Sequence, residues 1–364
     1  MGAIWGGFAA QVPVIKAQIG APDALYGSLF LVSSLGALVA MRFAGAVDRR
    51  LGARSVQVTA AAMGCAMLVP ALASGPVGFA FGMVLAAAFS GLCDVLMNAR
   101  TSETEEARGR PLMNLTHGLY SLSFALTAIL TGLAREIGLP PVAVFGIIAA
   151  LILTAAPWMI APHRHDAGEA AHLRNPAQRG LVWLAGLVFL AGFLVEQAAD
   201  GWSALHIERT LGGRAAEGAF GPAVLGLTMG LGRFCGQTLA ARYRETVLIT
   251  LACLVSAGGI TLAALAPNVA LAYAGFGLLG LGISIVVPLS VALVGRMVPP
   301  SQRVAAIGQA SIIGYGAFLV GPSLMGLTSD AFGLRVAFLT LAVMLLLVAA
   351  VLMPLIAARI RASR

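Results

Sequence analysis

Asp94 and Asn98 lie four residues apart in an apolar run, and His117 lies in the next such run. If both runs are helical, the four-residue spacing puts Asp94 and Asn98 on one helix face. Asp94 sits about five residues inside the end of its run and His117 about five residues inside the start of the next. Both are therefore roughly 7 to 8 Å deep at 1.5 Å rise per residue. A carboxylate, an amide and an imidazole at one depth suit the binding of a polar solute or the relay of a proton, since histidine titrates near neutrality. The competing reading is a structural Asp94–His117 hydrogen bond that pins two helices.

Glu196 and Asp200 form a second pair with four-residue spacing, in the first long apolar run of the chain's second half. Glu196 lies about 23 Å into that run, and Asp200, one turn further, reaches its far boundary. Carboxylates so placed repel, an arrangement suited to taking up a proton. If Glu196 instead faces Arg209 or an amide, its role is structural. Trp202, with Trp5 and Gln11 in the first run, are candidates for lining the same cavity, although tryptophan at a membrane interface also serves as an anchor. Asp48 and Arg100 end two runs on the same side and are expected to pair as a gate. Arg42 and Arg233 either snorkel or close that gate. His163 and His165 form an HxH in a polar stretch, but two ligands do not make a metal site. No HExxH or GxSxG occurs, so no catalytic residues, metal or cofactor are expected and the chain does not read as an enzyme.

The elements that must hold these groups follow from composition. The 364 residues are 59% apolar and only 10% charged, with a mean hydropathy of +0.92, whereas soluble domains carry about 25% charged residues. A water-soluble globule is excluded. At roughly 20 apolar residues per bilayer crossing plus loops, the length allows about twelve helices. Runs broken by Gly, Pro and charge place them near 1–19, 25–46, 55–74, 77–99, 112–134 and 140–161, then 181–200, 218–240, 246–266, 269–295, 304–328 and 334–357. The expected organisation is a six-helix bundle over 1–161, a cytoplasmic linker over 162–180, a second six-helix bundle over 181–358 and a tail over 359–364. The first run has only fifteen residues before Lys16, about 22 Å, so it reads as shortened, with a start upstream of Met1 as one explanation. It lacks the basic start and cleavage site of a signal peptide.

The formal charge of +8 comes from 22 arginines and Lys16 set singly or in short groups between apolar runs, not from a basic patch with aromatics, so nucleic acid is not an expected partner. Counted by alternate loops, sixteen basic residues fall on one side and five on the other, with Arg42 and Arg233 inside runs. The richer side is cytoplasmic, which puts both termini and the linker there, in an inner membrane. The four cysteines fall in separate apolar runs with no CxxC and read as inert. The glycines at 226, 230, 232 and 236 are a helix-packing device in lipid, not a nucleotide loop, since no strand precedes them.

Arg42-Phe43-Ala44-Gly45 and Arg233-Phe234-Cys235-Gly236 repeat RFxG at an offset of 191, and Tyr120/Tyr315 with Gly138-Leu139/Gly333-Leu334 repeat at 195. Two parallel halves with a site near the midplane are a common plan of secondary transporters. Gly45 to Arg54 resembles the loop between helices 2 and 3 of the major facilitator superfamily, with one extra residue between Asp48 and Gly52. Asp94 to Asn98, Gly109-Arg110-Pro111-Leu112-Met113 and His117 to Ser121 resemble the helix 4 to helix 5 signature of its YbjJ/MosC-like branch. Glu196 with Trp202-Ser203, Pro288-Leu289 and Gly321-Pro322 with Gly326 are similar to later signatures of that branch. Here Gly201 stands where the branch usually has Asp.

The resemblance implies a monomeric all-α carrier of twelve membrane helices in two pseudo-twofold bundles. It would move a small polar solute by alternating access, with protons as the expected coupling ion. Alternatives are a transport-inactive sensor or scaffold on the same fold and, because the helix 5 Gly-Pro motif of drug/proton antiporters is missing, less readily an efflux pump.

Overall fold

The computed structural model describes residues 1–108, 112–160, 176–240, 242–299 and 302–362. The HxH pair, Gly109-Arg110-Pro111, most of the expected linker and the last two residues lie outside that set. All regular structure among the described residues is helical: α1 (Gly2–Gln18), α2 (Asp23–Arg42), α3 (Ala44–Leu51), α4 (Ser55–Ala66), α5 (Leu68–Leu72), α6 (Pro76–Arg108), α7 (Met113–Glu136), α8 (Pro141–Ala155), α9 (Pro176–Leu205), α10 (Ala215–Ala240), α11 (Glu245–Leu265), α12 (Val269–Met297), α13 (Arg303–Phe332), α14 (Leu334–Leu347) and α15 (Met353–Ala362). Lipid offers backbone N–H and C=O groups no partner, so a spanning segment must satisfy them internally, as a helix does.

Ten helical segments among the described residues are long and apolar enough to cross a bilayer, against the twelve expected. The missing two are the first and the eighth. α1 has 17 residues, and α10 carries six glycines with Glu217 and Arg233, which dilute its apolar content. The exposed side chains show what surrounds these helices. On α7, Leu119, Leu122, Leu126, Leu130 and Leu133 are all more than half exposed and fall on one stripe. Water would not tolerate so long an apolar face, whereas lipid tails solvate it.

The chain divides into two compact units, Met1–Asp166 with Gly201–Ala223, and Ala167–Asp200 with Val224–Arg364. In the first, α1 lies along α7, and α6 packs against both α2 and α4. Its core is aromatic: Phe8, Tyr26, Phe30 and Phe79 meet with ring centroids 5.2 to 6.5 Å apart, and Trp202 stands edge-on to Tyr26 at 5.8 Å. In the second, α11 packs on α12 and α14. A Cβ at Gly259 would strike the α12 backbone at Leu279, and one at Gly275 would strike Ala263 of α11, so the two helices approach backbone to backbone. The Oδ1 of Asn268 accepts from Leu271 N–H at 3.0 Å and caps α12. Gly232 and Gly236 of α10 face Ser284 and Ile285 of α12, the close approach expected of a packing device.

Candidate functional site

In the first unit, α6 carries Asp94 and Asn98 on one face. Asn98 Nδ2 donates to Asp94 Oδ1 at 3.2 Å, and Asn98 Oδ1 is buried with no hydrogen-bond donor among the described residues. The pair is thus fixed in place with an acceptor to spare. His117 is exposed on the first half of α7. Gln11 is fully buried on α1, and neither atom of its amide has a partner among the described residues. Trp202 is 2% exposed and packs inside, against Tyr26. This is not the placement of an interfacial anchor. Trp5 donates from Nε1 to Ser90 Oγ at 3.1 Å.

In the second unit, α9 and α10 place Arg233 Nη2 3.6 Å from Glu196 Oε1. The cation beside Glu196 is thus Arg233. Asp200 lies one turn along α9 from Glu196. Two carboxylates thus stand one turn apart on α9, with the guanidinium of α10 beside the first of them. The two RFxG arginines differ in setting, since Arg42 is exposed at the end of α2 while Arg233 is partly buried and paired.

Arg100 of α6 is 5% exposed and serves four acceptor residues. It donates to Asp48 Oδ1, to both Glu103 oxygens at 2.9 and 3.0 Å, to Gly52 O at 3.3 Å and to Ser55 Oγ at 3.4 Å. Asp48 and Arg100 meet as expected, but both belong to the first unit, so the contact holds the 44–55 segment onto α6. Arg100→Met is expected to cost about 3 kcal/mol, because it strands a carboxylate and several acceptors, and Asp48→Asn about 1 kcal/mol. Reversing the two charges together restores less than half of the loss, since a carboxylate at position 100 would then face Glu103. Melting temperatures of the four proteins in detergent check this order.

Sequence reasoning missed a second set of ion pairs at the opposite end of the first unit. Asp23, 3% exposed, takes Lys16 Nζ and Arg209 Nη1, each at 2.7 Å. Arg135 of α7 grips Glu208 with both Nη groups at 2.8 Å and donates to Ala10 O at 2.6 Å, while Glu136 Oε1 accepts from Ala216 N–H at 3.0 Å. Glu208 and Arg209 sit in a π-helical turn, His206–Thr210, that ends α9; such turns recur at functional sites. A cleft of about 370 Å³ opens beside them, lined in part by Lys16, Glu208 and Arg209. In the sequence Lys16 marks the end of the first run and Arg209 is weighed as a partner of Glu196, while Arg135 registers only in the sparser of the two charge counts. Their partners are up to 186 residues away. Among the described residues no three His, Cys, Asp or Glu side chains gather as a metal site requires.

Long apolar helices with ionisable groups set inside them define a multi-pass membrane protein. The comparisons agree: the chain belongs to the major facilitator superfamily, whose family model matches residues 1–276 and 188–363. It is 31% identical over 349 residues to an MFS-type transporter of Yersinia pestis, covering 94% of this chain and 90% of the relative. It is 28% identical over 354 residues to the membrane protein MosC of Rhizobium meliloti, covering 93% and 83%. Among solved structures, the nucleoside transporter NupG aligns with a TM-score of 0.76 at 13% identity, covering 99% of this chain and 96% of that one. A bacterial homologue of the human lysosomal transporter Spinster, in an inward-facing state, aligns at 0.75 with 16% identity, covering 100% and 96%. These two likenesses are of fold alone. The protein is a membrane transporter of a small-molecule solute.

Proposed function

We propose that the protein is a monomeric, proton-coupled secondary transporter of a small polar solute, working by alternating access in an inner membrane with both termini cytoplasmic. Asp94, Asn98 and His117 are assigned to solute binding together with Gln11 and Trp202, and Glu196 to coupling. The observation that carries the reading is the charge count on α9 and α10. Glu196 and Asp200 are opposed by Arg233, 3.6 Å from Glu196. A charge inside the hydrocarbon is costly and is kept for function. The surplus carboxylate calls for a cation that comes and goes, of which the proton is the smallest. The six-plus-six repeat of the sequence supports a bundle-against-bundle movement.

The test is uptake into sealed liposomes from a panel of sugars, amino sugars, organic acids and cationic drugs, with and without an imposed pH gradient. Concentrative uptake of one class under the gradient is expected. Uptake indifferent to the gradient removes the coupling, and cationic drugs as the sole substrates favour an efflux pump. No movement of any class leaves a sensor or scaffold. His117→Ala is expected to weaken solute binding about tenfold, ~1.4 kcal/mol, as read from solute-induced thermal shifts. A lowered melting temperature at normal affinity would instead make His117 a structural residue.

A further inference from the structure

The cleft beside the π-helical turn carries more positive charge on its wall than its acids neutralise. It lies wholly within the first unit, measures about 370 Å³ and is lined by Lys16, Glu208 and Arg209 with apolar side chains that include Pro13 and Leu205. That volume falls among small-molecule sites, roughly 300–1,000 Å³. Lys16 Nζ and Arg209 Nη1 converge on a single oxygen, Asp23 Oδ1, each at 2.7 Å. Two cations therefore share one carboxylate. Asp23 is buried behind the cleft wall and is the first residue of α2, where the helix N-terminus already offsets negative charge. Glu208, the acid on the wall, is engaged at both oxygens by Arg135. Glu136 accepts from Ala216 N–H in the first turn of α10, so a helix N-terminus offsets its charge too. Each of the two cations bonds Asp23 through one nitrogen, and both head groups carry further N–H donors. Arg209 is half exposed on the cleft wall.

We infer that this cleft is an anion site, in which Lys16 and Arg209 take a singly charged oxyanion whose apolar part rests against Pro13 and Leu205. Carboxylate and phosphate oxygens accept from the N–H donors of both cations, and a guanidinium offers such groups paired bonds. One negative charge balances the excess on the wall. The ligand is either a small organic carboxylate or the phosphate of an anionic lipid headgroup. Asp94, Asn98 and His117 do not line the cleft, so the site is distinct from the group assigned to solute binding and does not rest on the transport reading.

The probes are three ring compounds of one shape, benzoate, benzamide and benzylammonium. The readout is the melting temperature of the whole protein in a neutral detergent, which a ligand of the native state raises. Benzoate alone is expected to stabilise, and less so as salt is added. Arg209→Gln, which leaves Asp23 its Lys16 partner, should weaken benzoate about tenfold, the loss of a charge-assisted bond. Glu208→Gln removes the acid from the wall and should tighten it. These opposite signs separate an anion site from a general loss of stability. Equal stabilisation by benzamide or benzylammonium overturns the inference, as does a benzoate effect kept in Arg209→Gln or lost in Asp94→Asn. The two sources are told apart in nanodiscs of phosphatidylglycerol and of phosphatidylcholine. Stabilisation by phosphatidylglycerol that is lost in Arg209→Gln, and to which benzoate adds nothing, assigns the site to lipid phosphate. A benzoate effect of equal size in both nanodiscs assigns it to a solute carboxylate. If neither benzoate nor phosphatidylglycerol stabilises the protein, Lys16 and Arg209 serve only Asp23 and the inference fails.

Discussion

Glu196→Gln abolishes solute uptake driven by a pH gradient and leaves solute exchange at equal pH on both sides intact. The amide keeps the size of the side chain beside Arg233, which now lies 3.6 Å from the carboxylate, so the packing of α9 on α10 survives. What it removes is the group that gains and loses a proton. With an amide at position 196, the guanidinium of Arg233 is balanced by Asp200 alone, and the pair is neutral without any bound cation. The carrier can then reorient with or without a proton, and the gradient no longer does work on the solute. Gradient-driven accumulation is expected to fall at least about tenfold, ~1.4 kcal/mol, while exchange changes less than about twofold. Unchanged accumulation in Glu196→Gln would move the coupling role away from this residue. Arg233→Gln provides the converse control. It leaves Glu196 and Asp200 with no opposing charge, so a loss of both exchange and accumulation is expected.

The groups that could be found in the sequence are those whose partners are near in the chain. Asp94 and Asn98 share a helix face because the α-helix repeats every 3.6 residues, and the structure joins them by a hydrogen bond. The RFxG repeat singled out Arg233, but its reach toward Glu196 depends on how α10 lies beside α9, which no spacing encodes. The same limit hid the outer ion pairs. Arg135 and Glu208 are 73 residues apart and Asp23 and Arg209 are 186 apart, and each alone reads as a charge that stops a helix at a membrane boundary. Gln11 was visible as an amide in an apolar run, whereas Thr131 and Ser203 were not, since a lone hydroxyl on a membrane helix commonly bonds the preceding turn, as Thr228 and Ser256 do here. Only the structure shows these two without that bond. The number of spans was limited by composition: six glycines make α10 less apolar than its neighbours, and the pattern that located it says nothing of how deeply it sits in lipid.

Arg135→Gln is expected to open the first unit at the end where Arg135 meets Glu208, the outer end in the orientation proposed above. In the form described, the Arg135 guanidinium is 5% exposed and Glu208 17% exposed, and the two are joined by paired hydrogen bonds of 2.8 Å. A fork of this kind fits a carboxylate better than a lysine could. Removing one partner of a buried pair costs about 3 kcal/mol, most of it the penalty of an uncompensated charge. In an alternating-access cycle that penalty falls on the form in which Glu208 is enclosed, and water relieves it in the form open to the outside. A shift of roughly a hundredfold in the balance between the two forms follows. Ser203 is fully buried when the pairs are made, so a Ser203→Cys reporter should react with a membrane-impermeant maleimide at least about tenfold faster in the Arg135→Gln background. Glu208→Gln should act in the same direction but less strongly, because Arg135 keeps its bond to Ala10 O. The double change, Arg135→Gln with Glu208→Gln, leaves no stranded charge and should label more slowly than Arg135→Gln alone, the non-additivity that marks a direct pair. Equal labelling in all four proteins would show that the pair does not control access from this side. Arg135→Lys separates charge from geometry: it preserves the ion pair and loses the fork, so its labelling rate should lie between the parent and Arg135→Gln.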